Sequence, residues 1–272
     1  MFKPLDALKQ SVVFIILVLV LGLALSQVPD INSFAYMMIP AVATFIMMFL
    51  VTGEGYHKAG WKKLGLHKTG IKLWLFSLIV PIIPIALSYS IVWTGGFADL
   101  ITPDTILGFS LKAFPVAILI IFISNVLTNS LGEELGWRGY LFPKLSASLG
   151  FKQASLITGL VHGIWHFPMI LFTTQYHNLG NKAIILTLMV LSTVALAPVI
   201  GYVRMVSGSV WPSSVLHTSH NLAWAVFAAI SSAATPATEY LAGDTGIVGI
   251  LCYALLSIWV FKKTQPNGVP AD

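Results

Sequence analysis

Charge is scarce in this chain of 272 residues, of which 9% are Asp, Glu, Lys or Arg and 57% are hydrophobic. Soluble domains carry about 25% charged residues, so a water-soluble fold is excluded and lipid must cover part of the surface. Cysteine is almost missing. With Cys252 alone, no intrachain disulfide can form and cysteine usage does not identify a redox compartment. Alternating apolar and polar runs are also lacking, which removes a barrel of transmembrane strands from consideration. There is no internal repeat, no low-complexity segment and no stretch that reads as a soluble domain.

Hydrophobicity is present instead in long continuous blocks. About 20 mostly apolar residues make a helix that crosses the hydrocarbon core. Eight stretches approach that length: Ser11–Ser26, Ile31–Val51, Ile71–Trp93, Phe114–Leu131, Ala154–Thr173, Ala183–Val203, Val210–Ala229 and Thr245–Phe261. The expected fold is all-α, a polytopic membrane bundle of about eight transmembrane helices. It forms a single integral-membrane domain over residues 1–272, with a motif-bearing core near residues 112–232. Lys9, the apolar run after it and Ala24-Leu25-Ser26 would also suit a secretory signal peptide, whose removal would leave seven spans and move no motif.

The formal net charge of +5 is not a nucleic-acid stripe, because the basic residues cluster between apolar blocks. Lys3 and Lys9 precede the first block. Lys58, Lys62, Lys63, Lys68 and Lys72 follow the second. Arg138, Lys144 and Lys152 follow the fourth, Arg204 the sixth, and Lys262 and Lys263 the eighth. The other four connections hold only Lys112 and Lys182, against Asp30, Asp99, Asp104, Glu239 and Asp244. Cytoplasmic loops are enriched in Lys and Arg, which places both termini and the even-numbered connections in the cytoplasm. Between Thr52 and Lys72, Trp61, Leu64 and Leu66 are spaced like an amphipathic turn, suited to lying on anionic lipid.

Ionisable side chains within a span cost about 2.5–3.5 kcal/mol at a helix centre on insertion scales, so each one calls for a reason. Gly132 to Pro143 holds Glu133, Glu134 and Arg138. Glu134 and Arg138 are four apart and can pair, while Glu133 lies about 100° around the helix and faces elsewhere. Read alone, this is a solvated helix end with an ion pair. In the fifth block His162 and His166 share a helix face, and Gly163 leaves room for a neighbouring helix or a substrate backbone. In the seventh, His217 and Asn221 are again four apart, with His220 beside them. Taken singly, the last two groups could be interhelical hydrogen bonds.

Together the three groups point to one buried cavity, expected to open to the cytoplasm. Depth is the difficulty. His217 lies about 12 Å along its helix from the sixth connection and His166 about 20 Å beyond Lys152, so the fifth helix is expected to start outside the membrane or to tilt. A carboxylate beside histidine in a dry cavity can activate water. Burial and Arg138 act in opposite directions on the charge of Glu133 and could balance it as a base near neutral pH. Donors from His217 and Asn221 could hold an oxyanion. No Ser-His-acid grouping has suggestive spacing, and Cys252 lacks a partner, so the expected chemistry is amide hydrolysis by activated water.

Glu-Glu-x-x-x-Arg with Gly-x-Leu, then Trp-His-x-Pro, then His-x-x-x-Asn, on successive membrane helices, resembles the CPBP family of CAAX proteases and bacteriocin-processing enzymes, also called the ABI family. The resemblance covers about Ser130 to Trp224. It implies an intramembrane endopeptidase of the cell membrane acting on a membrane-associated peptide or protein, of CAAX or leader type. Glu133 would be the base, His166 would help activate water, and His217 with Asn221 would form the oxyanion hole. Glu134 and Arg138 would support the site, and no cofactor would be needed. The family's second motif usually begins with Phe, whereas here it begins with His162, an extra donor or an extra metal ligand.

That substitution keeps open a zinc-dependent peptidase in which His162, His166, His217 and Glu133 supply ligands, although the internal glutamate of the soluble His-Glu-x-x-His enzymes is absent. From another class, buried Glu, Arg and His could relay protons in a transporter. No repeated halves accompany them, while Pro81, Pro84, Pro168, Pro198 and Pro212 provide kinks. A non-catalytic membrane scaffold would gain nothing from buried ionisable groups.

Overall fold

A computed structural model describes residues 5–174, 176–232 and 235–264. The chain is an all-α polytopic bundle whose helices follow the apolar blocks. They are α1 (Ala7–Leu25), α2 (Ser33–Val51), α3 (Ile71–Thr94), α4 (Phe114–Leu149), α5 (Phe151–Phe172), α6 (Lys182–Ser207), α7 (Trp211–Ala229) and α8 (Ile247–Lys263). Among the described residues, six of these, α1 to α6, are long and apolar enough to cross a membrane. The seventh carries the polar motif, and the eighth has 17 residues. The only strands among the described residues are β1 (Thr105–Ile106) and β2 (Phe109–Ser110), paired antiparallel in the connection before α4.

Helix α1 shows how the sequence sorts protein contact from lipid contact. Asp6 caps its start by accepting from the Lys9 backbone N–H at 2.8 Å. Ser11, Phe14, Val18 and Gly22 then fall on one buried face, while Val12, Ile16, Val20 and Leu23 are exposed on the other. Phe14 and Val18 join the main core, so this segment packs as one wall of the bundle.

Helices α5 and α6 pack through missing side chains. A Cβ at Gly159 would come within 2.8 Å of Ala197 Cβ, and one at Gly163 within 2.6 Å of Thr193 Oγ1. Small residues let membrane helices approach closely, so the space at Gly163 is filled by a neighbouring helix.

Helix α4 continues beyond the block that ends at Leu131, reaching Leu149. Thr128 interrupts its regular geometry with φ −125° and ψ −87°, and Leu135–Leu141 form a π-helical stretch. Such wide turns occur often at functional sites. Here the turn follows directly on Glu133 and Glu134 and contains Arg138.

The connection between α2 and α3 is docked onto the bundle. The Lys63 carbonyl accepts from Arg204 Nη2 at 2.8 Å, and the Gly65 carbonyl from the Val210 N–H at 3.3 Å. The Leu66 carbonyl accepts from Trp211 Nε1 at 3.1 Å, and the Lys68 carbonyl from Ser209 Oγ at 2.6 Å. Leu64 is buried and points into the core, whereas Lys58, Lys62, Lys63 and Lys68 remain exposed beside Tyr56 and Trp61.

Candidate active site

Glu133 sits at the centre of the buried polar groups. Its Oε2 is 3.0 Å from His162 Nε2, and its Oε1 is 3.9 Å from His217 Nε2. Glu134 faces the other way. It accepts from Arg138 Nη1 at 3.1 Å, and the same oxygen lies 2.9 Å from His217 Nδ1. The adjacent acids therefore divide as their angular offset suggests. Glu134 is the anchor of a fully enclosed ion pair, and Glu133 turns toward the histidines.

His166 Nδ1 lies 3.0 Å from the His162 carbonyl, which fixes the imidazole and leaves Nε2 free. The His162 ring is 5.0 Å from that of His166 and 6.0 Å from that of His217, centre to centre. Asn221 lines the same cavity of about 340 Å³ as Glu133, His162, His166 and His217. All four residues expected to carry the reaction thus border one space. His220 does something different: its Nδ1 is 2.7 Å from Tyr253 Oη on α8, a bond that ties helices together.

The conflict in depth is resolved by the start of α7. Ser209, Val210, Ser213 and Ser214 are wholly buried beneath the docked connection between α2 and α3. Helix α7 therefore begins inside the protein, and His217 reaches the level of His162 although few residues precede it.

Glu133, His162 and His166 each offer one ligand atom within 4.8 Å of the others, so this trio fits a metal ion such as zinc. His217 stands outside that trio, with Nδ1 committed to Glu134.

The rim of the cavity is formed by Ser33, Leu107, Tyr176 and Asp244, from the four odd-numbered connections or the helix ends beside them. These residues put one end of the cavity toward the face opposite the termini.

A second polar cluster flanks the rim. His177 Nδ1 is 2.8 Å from Glu239 Oε2, and its Nε2 is 3.1 Å from Asp244 Oδ1. Tyr176 donates to the other Asp244 oxygen, and its ring lies 5.7 Å from that of His166. Burial alone would lower the His177 pKa, but Asp244 and Glu239 outweigh it and raise the value to about 10. Burial would likewise raise that of Asp244, yet His177 and Tyr176 bring it down to about 2. Sequence reading passed over these loop residues. The signal available was a histidine and two acids in connections otherwise poor in charge.

Comparison with known proteins bears on the same helices. Residues 115–223 match the family described as type II CAAX prenyl endopeptidase, Rce1-like. The match contains all three motifs. These residues are similar to that family. A relative from Methanococcus maripaludis, named CAAX prenyl protease 2, is 34% identical over 77 residues. That alignment covers 28% of this chain and 26% of the relative, so the chain matches about a quarter of the relative's length. Within the matched residues, His162 occupies the position at which the resemblance leads one to expect Phe, and its Nε2 lies 3.0 Å from Glu133 Oε2.

Proposed function

We propose that this protein is an intramembrane endopeptidase of the cell membrane. It hydrolyses a peptide bond in a membrane-associated protein or peptide, of CAAX or leader type. The observation that carries this reading is the position of Glu133: buried, within hydrogen-bonding distance of His162, near His217, and bordering a cavity shared with His166 and Asn221.

In this reading Glu133 takes a proton from a water molecule held between it and the free Nε2 of His166. The resulting hydroxide attacks the scissile carbonyl. His217, doubly protonated with its Nδ1–H donated to Glu134, donates from Nε2 alongside the Asn221 amide to the oxygen as negative charge develops on it, which is where fixed donors lower the barrier. Glu133 then returns the proton to the leaving nitrogen. Glu134 holds His217 through Nδ1, leaving Nε2 directed at the cavity, and Arg138 balances the charge of Glu134. His162 orients Glu133.

Metal-free catalysis is proposed as the main form. The trio of Glu133, His162 and His166 favours one alternative, in which those residues hold zinc. Zinc, when bound, would polarise the carbonyl and acidify water. The deciding assay uses purified protein in detergent with a lipid-anchored fluorogenic peptide, before and after chelation. Metal-free catalysis keeps full cleavage after chelation. Complete loss, restored by zinc, establishes the alternative.

A further inference from the structure

His177 has no step in the proposed reaction, yet it is held from several directions at once. Its φ of 49° lies in the left-handed region that few residues other than glycine adopt. Such a conformation persists only where the surroundings over-determine it, and it concentrates at functional sites. The imidazole is buried in the connection between α5 and α6. Its Nδ1 is 2.8 Å from Glu239 Oε2 and its Nε2 3.1 Å from Asp244 Oδ1, both acids belonging to the connection between α7 and α8. Its carbonyl accepts from Lys182 Nζ at 2.6 Å. Joining the two connections does not need all of this, because the Asn181 N–H already donates to Tyr240 Oη at 2.6 Å.

What His177 adds is directed at the cavity, along two paths. On the first, Asp244 faces His177 Nε2, its carbonyl accepts from Ser192 Oγ, and its carboxylate accepts from the Tyr176 hydroxyl. The Tyr176 ring lies 5.7 Å from that of His166, centre to centre. Among the described residues, the other rings beside His166 are His162 and Trp165, both on α5 itself. Tyr176 therefore supports the imidazole from outside its own helix. On the second path the His177 ring stacks on Trp224, 5.8 Å away at 11°. Trp224 follows Asn221 on α7 by close to one turn. Tyr176, Asp244 and Trp224 all line the cavity with His166 and Asn221.

We infer that His177 is a positioning residue: through Asp244 and Tyr176 it fixes the His166 imidazole, and through Trp224 the turn of α7 that carries Asn221. The consequence for turnover rests on the peptidase reading; the hold on His166 does not. Among the described residues the His166 ring makes one hydrogen bond, through Nδ1. The tilt that aims its free Nε2 is then set by the rings packed against it. Misplacing a group that holds the attacking water slows the chemical step without weakening substrate binding.

Tyr176→Phe keeps the ring and removes only the hydroxyl that Asp244 holds. In detergent, on the lipid-anchored fluorogenic peptide, it should lower kcat about tenfold, below the ~10²-fold that a 1 Å misplacement can cost, with KM and Tm near wild type. His177→Gln should lower kcat at least as far, and the double variant should lose no more than His177→Gln alone, because both substitutions break one path. Losses that multiply, or an unchanged kcat in Tyr176→Phe, overturn the inference; Tyr176→Phe decides alone if His177→Gln does not fold. A second readout needs no cleavage. Modification of His166 by diethyl pyrocarbonate, followed residue by residue by mass spectrometry with exposed His67 as internal reference, should be several-fold faster in Tyr176→Phe than in wild type. An unchanged rate overturns the positioning role. If wild type cleaves nothing while His166 modification still responds to Tyr176→Phe, the peptidase reading fails and the hold on His166 stands.

Discussion

Glu133 Oε2 meets His162 Nε2 at 3.0 Å, which makes the residue that departs from the family pattern the nearest partner of the proposed base. A phenylalanine at that position could pack but could not orient a carboxylate. This contact also brings His162 into the trio that would accept a metal, so one residue separates the two chemistries.

His162→Phe should therefore lower kcat about 10²-fold, the smaller end of what a positioned base contributes. If His162 is only packing, kcat is unchanged in the variant. If it is a metal ligand, the variant loses bound metal as measured by elemental analysis.

Glu134→Ala leaves Arg138 buried without its partner and releases His217. Breaking a buried ion pair costs about 3–5 kcal/mol. The variant is expected to show a clearly lower Tm in detergent, whereas Glu133→Gln keeps the wild-type Tm. Equal stability of both variants would contradict the division of labour between the two acids.

Gly163→Leu would drive side-chain atoms into the backbone of α6, since even a Cβ comes within 2.8 Å of Val190 Cα. Overpacking costs about 1–3 kcal/mol, and separating α5 from α6 would also displace His162 and His166. Reduced thermal stability together with reduced activity is expected. Unchanged stability would mean that the helices are not in contact as described.

The cluster beside the rim sets a pH dependence. His177 has a folded pKa near 10 against an ordinary 6.5, so its stabilising contribution is complete below 6.5 and disappears as pH rises through about 10. Asp244 has one near 2 against 3.8, so its contribution is complete above 3.8 and disappears as pH falls through about 2. Thermal stability should accordingly decline from pH 6.5 toward pH 10, and His177→Gln should flatten that limb. A limb that keeps its slope in the variant would assign it to other groups.

Much of the fold was legible because membrane helices announce themselves in continuous apolar blocks, and α1 to α6 coincide with such blocks. The end of α4 was not legible. Beyond Leu131 its residues are polar enough to read as a solvated helix end, but Glu133, Glu134 and Arg138 satisfy one another and His217 inside the protein. The wide turn at Leu135–Leu141 also leaves no hydropathy signature. The constellation of Glu133, His166, His217 and Asn221 could be named from spacing and family resemblance, and the structure brings all four to one cavity. The docking of the connection between α2 and α3 onto the bundle could not be found that way, because it depends on that connection's backbone carbonyls capturing Arg204, Ser209, Val210 and Trp211. Backbone acceptors carry no sequence signal.

The most direct test compares wild-type and Glu133→Gln proteins, purified in detergent and matched for Tm, on the same lipid-anchored fluorogenic peptide. With Glu133 as the base, wild type cleaves and the variant loses about 10²–10⁴-fold in kcat. A Glu133→Gln protein that cleaves as fast as wild type would remove the carboxylate from the reaction and contradict the account.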